Sequence, residues 1–276
     1  MFKRILLPTD FSEYADNALD FGVSIAALSG AVIDIVHVYH VSNLKKRASS
    51  TEFEHQEKQL ALEASQRLLT LEQKVKQKHP NVQIVTQAEW GIPEIVIQSL
   101  AEKGNYDLIV MGTKGTGTEK FFGSTTMNVI DKLSIPTLVI PIKAKCLNMN
   151  NFVWASDLEL KQVSFIQPLF ILAQLFQAAI TTVYVRDQHE SESSLRNHYA
   201  KLAAHFPQNV SNELRLHLGS GELLHELNRV VHASKTNLLC MVMRERSFIE
   251  HFLDSSLTTR LAENVDIPLL VLHKSV

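Results

Sequence analysis

The sequence predicts two copies of a doubly wound α/β domain in one chain, each built on a five-stranded parallel sheet in the order 3-2-1-4-5. Three observations lead there. Short runs that are apolar throughout, such as "RILLPT" and "DLIVMG", alternate with segments of helical period, the pattern of strands covered by helices on both faces. The second half repeats the first: a shift of 147 positions lays Asp157 on Asp10, "NFVWASDLEL" on "RILLPTDFSE" and "ITTVYVR" on "IDIVHVY". Near the ends, "VDIPLLVLHKS" falls on "LSIPTLVIPIK" with a shift of 132, so the second copy is shorter in its middle. Self-similarity at so long a period means a duplicated domain and not a solenoid. The copies are expected over residues 1–145 and 150–276, joined by "KAKCLNMNN".

In the first copy, "RILLPT" is strand one. Asp10 then offers an N-cap, with Glu13 three residues on in a capping-box pattern. Ala18, Phe21, Gly22, Ile25 and Leu28 mark the buried face of the first helix, and Gly30 is its stop. "VIDIVHVY" is strand two. A long amphipathic helix follows, with Leu60, Ala64, Leu68, Leu71 and Val75 on one side. "NVQIVTQA" is strand three, Pro93 opens helix three, "LIVMG" is strand four and "PTLVIPI" strand five. The second copy keeps this order with a much shorter second helix near residues 194–205. Its greasiest run, "FIQPLFILAQLF", is broken by Pro and Gln and too short to cross a bilayer, so it reads as a buried helix.

Composition excludes several classes. A net charge of −2 and a pI near 6.6 give no electrostatic grip on nucleic acid or anionic lipid. Two cysteines, Cys146 and Cys240, build neither a disulfide framework nor a thiolate zinc site. "MFKRILLPTD" lacks the apolar core of a signal peptide, which points to a cytoplasmic protein.

Four of the ten glycines fall in one loop, "GTKGTGTEKFFGSTT" at 112–126, between strand four and a helix. In a doubly wound sheet the ligand crevice lies between strands one and four, beyond their carboxyl ends. Asp10 and Gly112 sit at those two ends. Bare backbone at Gly112, Gly115 and Gly123 lets N–H groups approach an anion. The helix opened by Ser124, Thr125 and Thr126 adds free N–H groups, a favourable dipole and hydroxyl donors. Lys114 and Lys120 can offset phosphate charge. There is no Walker motif, and "GTGTEK" lacks the third glycine of a dinucleotide fingerprint. Two histidine pairs are discounted as metal sites. His225 and His232, beside Glu222, lack the i, i+4 spacing of a helical zinc pair, and His37 and His40 face opposite sides of a strand.

On "ILLPTDFSEYADNAL", "DLIVMGTKG", "GSTTMNVI" and "IPTLVIP", nearly the whole chain resembles the universal stress protein family in its tandem form, with two Usp domains per polypeptide. The resemblance implies two Rossmann-like domains, of the adenine nucleotide alpha hydrolase-like kind, packed as a pseudo-dimer about a pseudo-twofold axis, with the last strands of both copies against each other. It also implies an adenine-nucleotide site in the first copy. That site places Pro8, Thr9 and Asp10 near the adenosine, Val38 beside the adenine and Met111 at the pocket floor, with Gly112, Gly115, Gly123, Ser124, Thr125 and Thr126 around the phosphates. The family's ATP-binding pattern has nine residues between its second and third glycines; residues 116–122 supply seven.

The second copy keeps the full loop length but none of its glycines: Val242 replaces Gly112, Ser255 replaces Gly123, and Glu245, Glu250 and Asp254 add negative charge. It is expected to bind no nucleotide and to serve as a structural or partner-binding half. The implied function is a nucleotide-responsive module of stress adaptation. It would take ATP, ADP or AMP, with or without Mg2+, an unidentified protein partner, and a further homodimer contact. No triad, paired carboxylates or metal site points to efficient catalysis. A slow ATPase or autophosphorylating enzyme, and a nucleotide-free scaffold, are the alternatives.

Overall fold

A computed structural model describes residues 1–40, 50–115, 123–186, 188–218, 227, 229–231, 233, 235–243 and 267–273. By packing, the chain divides into two compact units, Met1–Leu133 and Ser134–Val276.

The first unit runs β1 (Arg4–Pro8), α1 (Glu13–Ser29), β2 (Val32–Tyr39), α2 (Ser50–Lys78), β3 (Gln83–Trp90), α3 (Pro93–Lys103), β4 (Leu108–Gly112) and α4 (Ser124–Lys132). Its strands are parallel in the order β3-β2-β1-β4. In the central strand Ile5, Leu6 and Leu7 are all fully buried, because each face is covered by helices. Burial of such side chains contributes about 1.5–3 kcal/mol each. On α2 the expected apolar side holds: Ala64, Leu68, Leu71 and Val75 are buried.

The second unit runs β5 (Thr137–Ile140), β6 (Asn151–Ala155), a 3-10 turn (Leu160–Ser164), α5 (Gln167–Phe176), β7 (Ala179–Arg186), α6 (Glu192–Ala203), β8 (Asn212–Leu218), β9 (Leu238–Met243) and β10 (Leu269–His273). Strands β8-β7-β6-β9-β10 repeat the order 3-2-1-4-5, all parallel. The greasy segment is α5, with Leu169, Phe170, Leu172 and Ala173 buried. Strand β5 then adds to the edge, antiparallel to β10, with Leu138 opposite Leu270. The last strands of the two copies thus do pair. That pairing is also why β5 belongs to the second compact unit, although by sequence it closes the first copy.

Duplication reaches the backbone hydrogen bonds. Thr9 N–H donates to Val36 O at 2.8 Å, and Ser156 N–H to Val183 O at 3.0 Å. Asp10 Oδ1 accepts from Ser12 N–H at 3.0 Å, and Asp157 Oδ1 from Glu159 N–H at 2.9 Å. Phe11 and Leu158, at equivalent places, both stand at φ 59°, a left-handed conformation that non-glycine residues seldom take.

That conformation corrects one expectation. Asp10 does not cap α1; Ser12 does, its Oγ accepting from Ala15 N–H at 3.3 Å. With Phe11 left-handed, the chain has not entered the helix at Asp10, so the cap falls two residues later. Asp10 instead closes a turn on Ser12. Gly30 ends α1 at φ 75°, as expected. Among the described residues no helix is long and apolar enough to cross a membrane, and no three or more His, Cys, Asp or Glu side chains cluster as metal ligands. Residues 222, 225 and 232, like Lys120, lie outside the described residues.

Candidate functional site

Strand β1 delivers Pro8 to its carboxyl end, followed by buried Thr9 and half-buried Asp10. Strand β4, its neighbour, delivers Met111 into the core and Gly112 to the same edge. The two ends approach each other closely at the loop's first two glycines. A Cβ on Gly112 would lie 2.9 Å from the backbone of Tyr14 in α1, and one on Gly115 would lie 2.3 Å from Asp10 Oδ2. Glycine at position 112 is therefore demanded by the protein's own packing, since the Tyr14 backbone cannot move aside, whereas at Gly115 the obstacle is the tip of the Asp10 side chain.

Gly123 is different. Its φ of −70° is open to any residue, and among the described residues a Cβ there would meet nothing closer than Lys114 Cα at 3.4 Å. Its N–H donates to Thr113 O at 2.9 Å, and the same Cβ position lies 3.7 Å from Gly115 N, so the third glycine is folded back beside the second. It forms the N-cap of α4 with no side-chain cap, and no acidic residue stands in the first turn. Among the described residues, then, no side chain caps the positive dipole end of α4.

The hydroxyl cluster divides. Thr126 is buried and donates to Gly112 O at 3.0 Å, tying α4 to the end of β4. Ser124 is exposed and Thr125 half-buried. Lys114 lies with its ammonium 5.3 Å from the centre of the Tyr14 ring. Val38 lies one strand over, half-buried in β2 and in register with Glu89.

Three side chains that the sequence did not assign to the nucleotide site lie at this edge. Phe11 packs 4.4 Å from the His37 ring, and the Arg67 guanidinium covers its other side at 4.0 Å. His37 Nδ1 hydrogen-bonds Thr9 O at 2.8 Å; burial and nearby Arg67 push its pKa down, while the Thr9 bond and Asp10 oppose them. The ring is neutral at pH 7. Nothing in the strand pattern distinguishes His37 from an ordinary half-buried residue, and Phe11 and Arg67 meet only through the fold.

The equivalent edge of the second unit is built otherwise. Gln162 stands where the first copy has Ala15, buried, and its amide hydrogen-bonds Asp157 Oδ1 and Ser156 Oγ. Val242 puts a half-buried side chain at the position of Gly112. Glu245, Glu250, Asp254 and Ser255 lie outside the described residues. A cleft of about 610 Å3 opens on this edge between Leu158 and Leu195, below His198 and Lys201 of α6.

Comparison with known proteins agrees with this geometry. The model of the universal stress protein family matches residues 1–141. Universal stress protein MJ0577 of Methanocaldococcus jannaschii is 32% identical over 159 residues, covering 52% of this chain and 97% of that protein. Universal stress protein A homolog 1 of Coxiella burnetii is 29% identical, over 51% of this chain and 98% of its own. The crystal structure of a universal stress protein from Archaeoglobus fulgidus shares the fold over 99% of this chain and 96% of its own, with a TM-score of 0.76 at 15% identity. The doubled sheet, the glycine-bearing edge and a family match over half its length make this chain a member of the universal stress protein family.

Proposed function

We propose that the chain is a cytoplasmic adenine-nucleotide-responsive binding module, taking one nucleotide in its first unit and none in its second. The observation that carries this reading is Gly123. Neither its backbone conformation nor its packing against the described residues requires glycine there, which supports a ligand that comes close to the start of α4. Phosphates of ATP, ADP or AMP would lie against Gly115, Gly123, Ser124 and Thr125, the adenosine against Pro8, Thr9, Asp10 and Val38, with Met111 below. Thr126 supports the loop through Gly112 and is not itself a phosphate donor. In the second unit Val242 closes the backbone and Gln162 occupies the Asp157 carboxylate, which supports a structural or partner-binding role.

Titration calorimetry with ATP, ADP and AMP, with and without Mg2+, tests the reading. One site per chain is expected, lost in Gly123→Val and retained in Val242→Gly. Two sites, or none for any of the three nucleotides, would overturn it. Exposed Ser124 beside the phosphates gives the slow-enzyme alternative its one specific candidate for autophosphorylation; prolonged incubation with ATP followed by mass spectrometry of the chain would reveal it.

A further inference from the structure

The edge strand of the first unit, β3, ends in aromatic side chains that the core does not absorb. Tyr39 and Trp90, the last residues of β2 and β3, stand in register, and Gly91 N–H donates to Tyr39 O at 3.1 Å, so the turn after β3 holds the two side by side. Their ring centres lie 5.7 Å apart at 67°. Phe53, in the first turn of α2, meets the Trp90 ring at 5.7 Å and 84°. The three rings form walls set nearly at right angles, and Trp90 stays 38% exposed. Leaving so large an aromatic surface in water forgoes the burial energy that normally draws it into a core.

The same corner is negatively charged. The inward stripe of α2 is apolar from Leu60 to Val75, but one turn after Phe53 it carries Glu57, which is half-buried. Glu89, just before Trp90 on β3, is half-buried as well. Burial, then the charges of Glu57 and Glu89, raise the pKa of Tyr39, so both carboxylates are felt at its ring. Among the described residues neither carboxylate has a hydrogen bond or an ion pair. A carboxylate held partly out of water without a partner favours a cation beside it. The second unit treats the equivalent position differently. Arg186 stands there in register with Leu218, and its Nη1 donates to Glu190 O at 3.3 Å. One copy supplies its own cation at this corner; the other supplies ring faces and negative charge.

We propose that Tyr39, Phe53 and Trp90 form a binding site for a small organic cation that carries a quaternary ammonium group. The site lies at the ends of β2 and β3, whereas the nucleotide crevice lies between β1 and β4, so the two are independent. A quaternary ammonium has no N–H to donate and spreads its charge over methyl groups, so ring faces suit it better than oxygen acceptors do. Glu57 and Glu89 add attraction at longer range and repel anions. Negative charge alone would suit a metal ion, but no three ligating side chains cluster among the described residues. Rings alone would suit a neutral molecule. The two together select an organic cation.

Calorimetric titration of the full chain with choline, and with 3,3-dimethylbutan-1-ol as the uncharged probe of the same shape, tests this. Saturable choline binding at one site is expected, about tenfold tighter than binding of the alcohol. Tryptophan fluorescence should change in step with it through Trp90, because Trp154 is fully buried in the other unit. Glu57→Gln should weaken choline about threefold and leave the alcohol unchanged. Tyr39→Arg installs the residue of the second unit and should abolish choline binding in a chain that still melts cooperatively. Glu57→Gln, a conservative change at a half-buried helix position, keeps the test decisive should Tyr39→Arg not fold. Absence of saturable choline binding, equal affinity for the alcohol, unchanged choline affinity in Glu57→Gln, or choline binding that survives a folded Tyr39→Arg would overturn the assignment.

Discussion

Gly112 and Gly123 are bare for different reasons, and substitution separates them. Gly112→Ala drives a Cβ to 2.9 Å from the Tyr14 backbone, which cannot rotate away, and is expected to cost about 1–3 kcal/mol of stability. Gly123→Ala meets only a 3.4 Å contact at an ordinary φ and should leave thermal stability nearly unchanged while weakening nucleotide binding. Melting curves and a nucleotide titration on both variants read this contrast; equal destabilisation would refute it. His37 gives a second prediction at this scale. Its folded pKa is depressed, so the unfolded chain, with an ordinary value near 6.5, binds the proton first as pH falls. The contribution of the neutral ring is fully present above about pH 6.5 and is lost as pH drops toward the folded value. The melting temperature should therefore decline between pH 7 and pH 5.5, and His37→Gln should flatten part of that slope. His273, lowered by burial in the same direction, supplies a remainder. At the scale of residues the sequence shows which glycines are unusual but not why. The Tyr14 backbone crowds Gly112 from another element, and no local pattern carries that information.

Helix α1 shows how a correct element can have a misread start. Asp10 and Glu13 satisfy the capping pattern, yet Phe11 at φ 59° places the helix entrance at Ser12. The two polar residues accordingly have separable roles. Ser12→Ala removes the hydrogen bond to Ala15 N–H and should cost about 0.5–2 kcal/mol. Asp10→Ala keeps that cap, and its main effect should fall on nucleotide affinity. Chemical denaturation alongside nucleotide titration distinguishes them, and a larger stability loss for Asp10→Ala than for Ser12→Ala would reverse the assignment. Helix α2 was legible from period alone, because it presents one stripe to β2 and β3.

Over the whole chain, duplication set both the strand order and where it was interrupted. Strand β10 is the carboxyl-terminal strand of its copy, and its antiparallel partner β5 comes from the other copy. Leu270, fully buried in β10, faces Leu138 across that pair. Leu270→Ala is expected to cost about 2–5 kcal/mol, measured by denaturant unfolding; a loss below about 1 kcal/mol would mean that the edge is not packed as a core. The sequence by itself determined the doubled α/β architecture, the parallel order, the crevice edge and the asymmetry of the two loops, since these follow from periodicity, repeat register and the presence or absence of a side chain at a known position. Only the tertiary structure decided that Gly112 answers to the protein's own packing and that Gln162 closes the second copy's aspartate. Each of these depends on side chains brought together from distant positions, and the distance between them is set by packing, which a linear pattern does not encode.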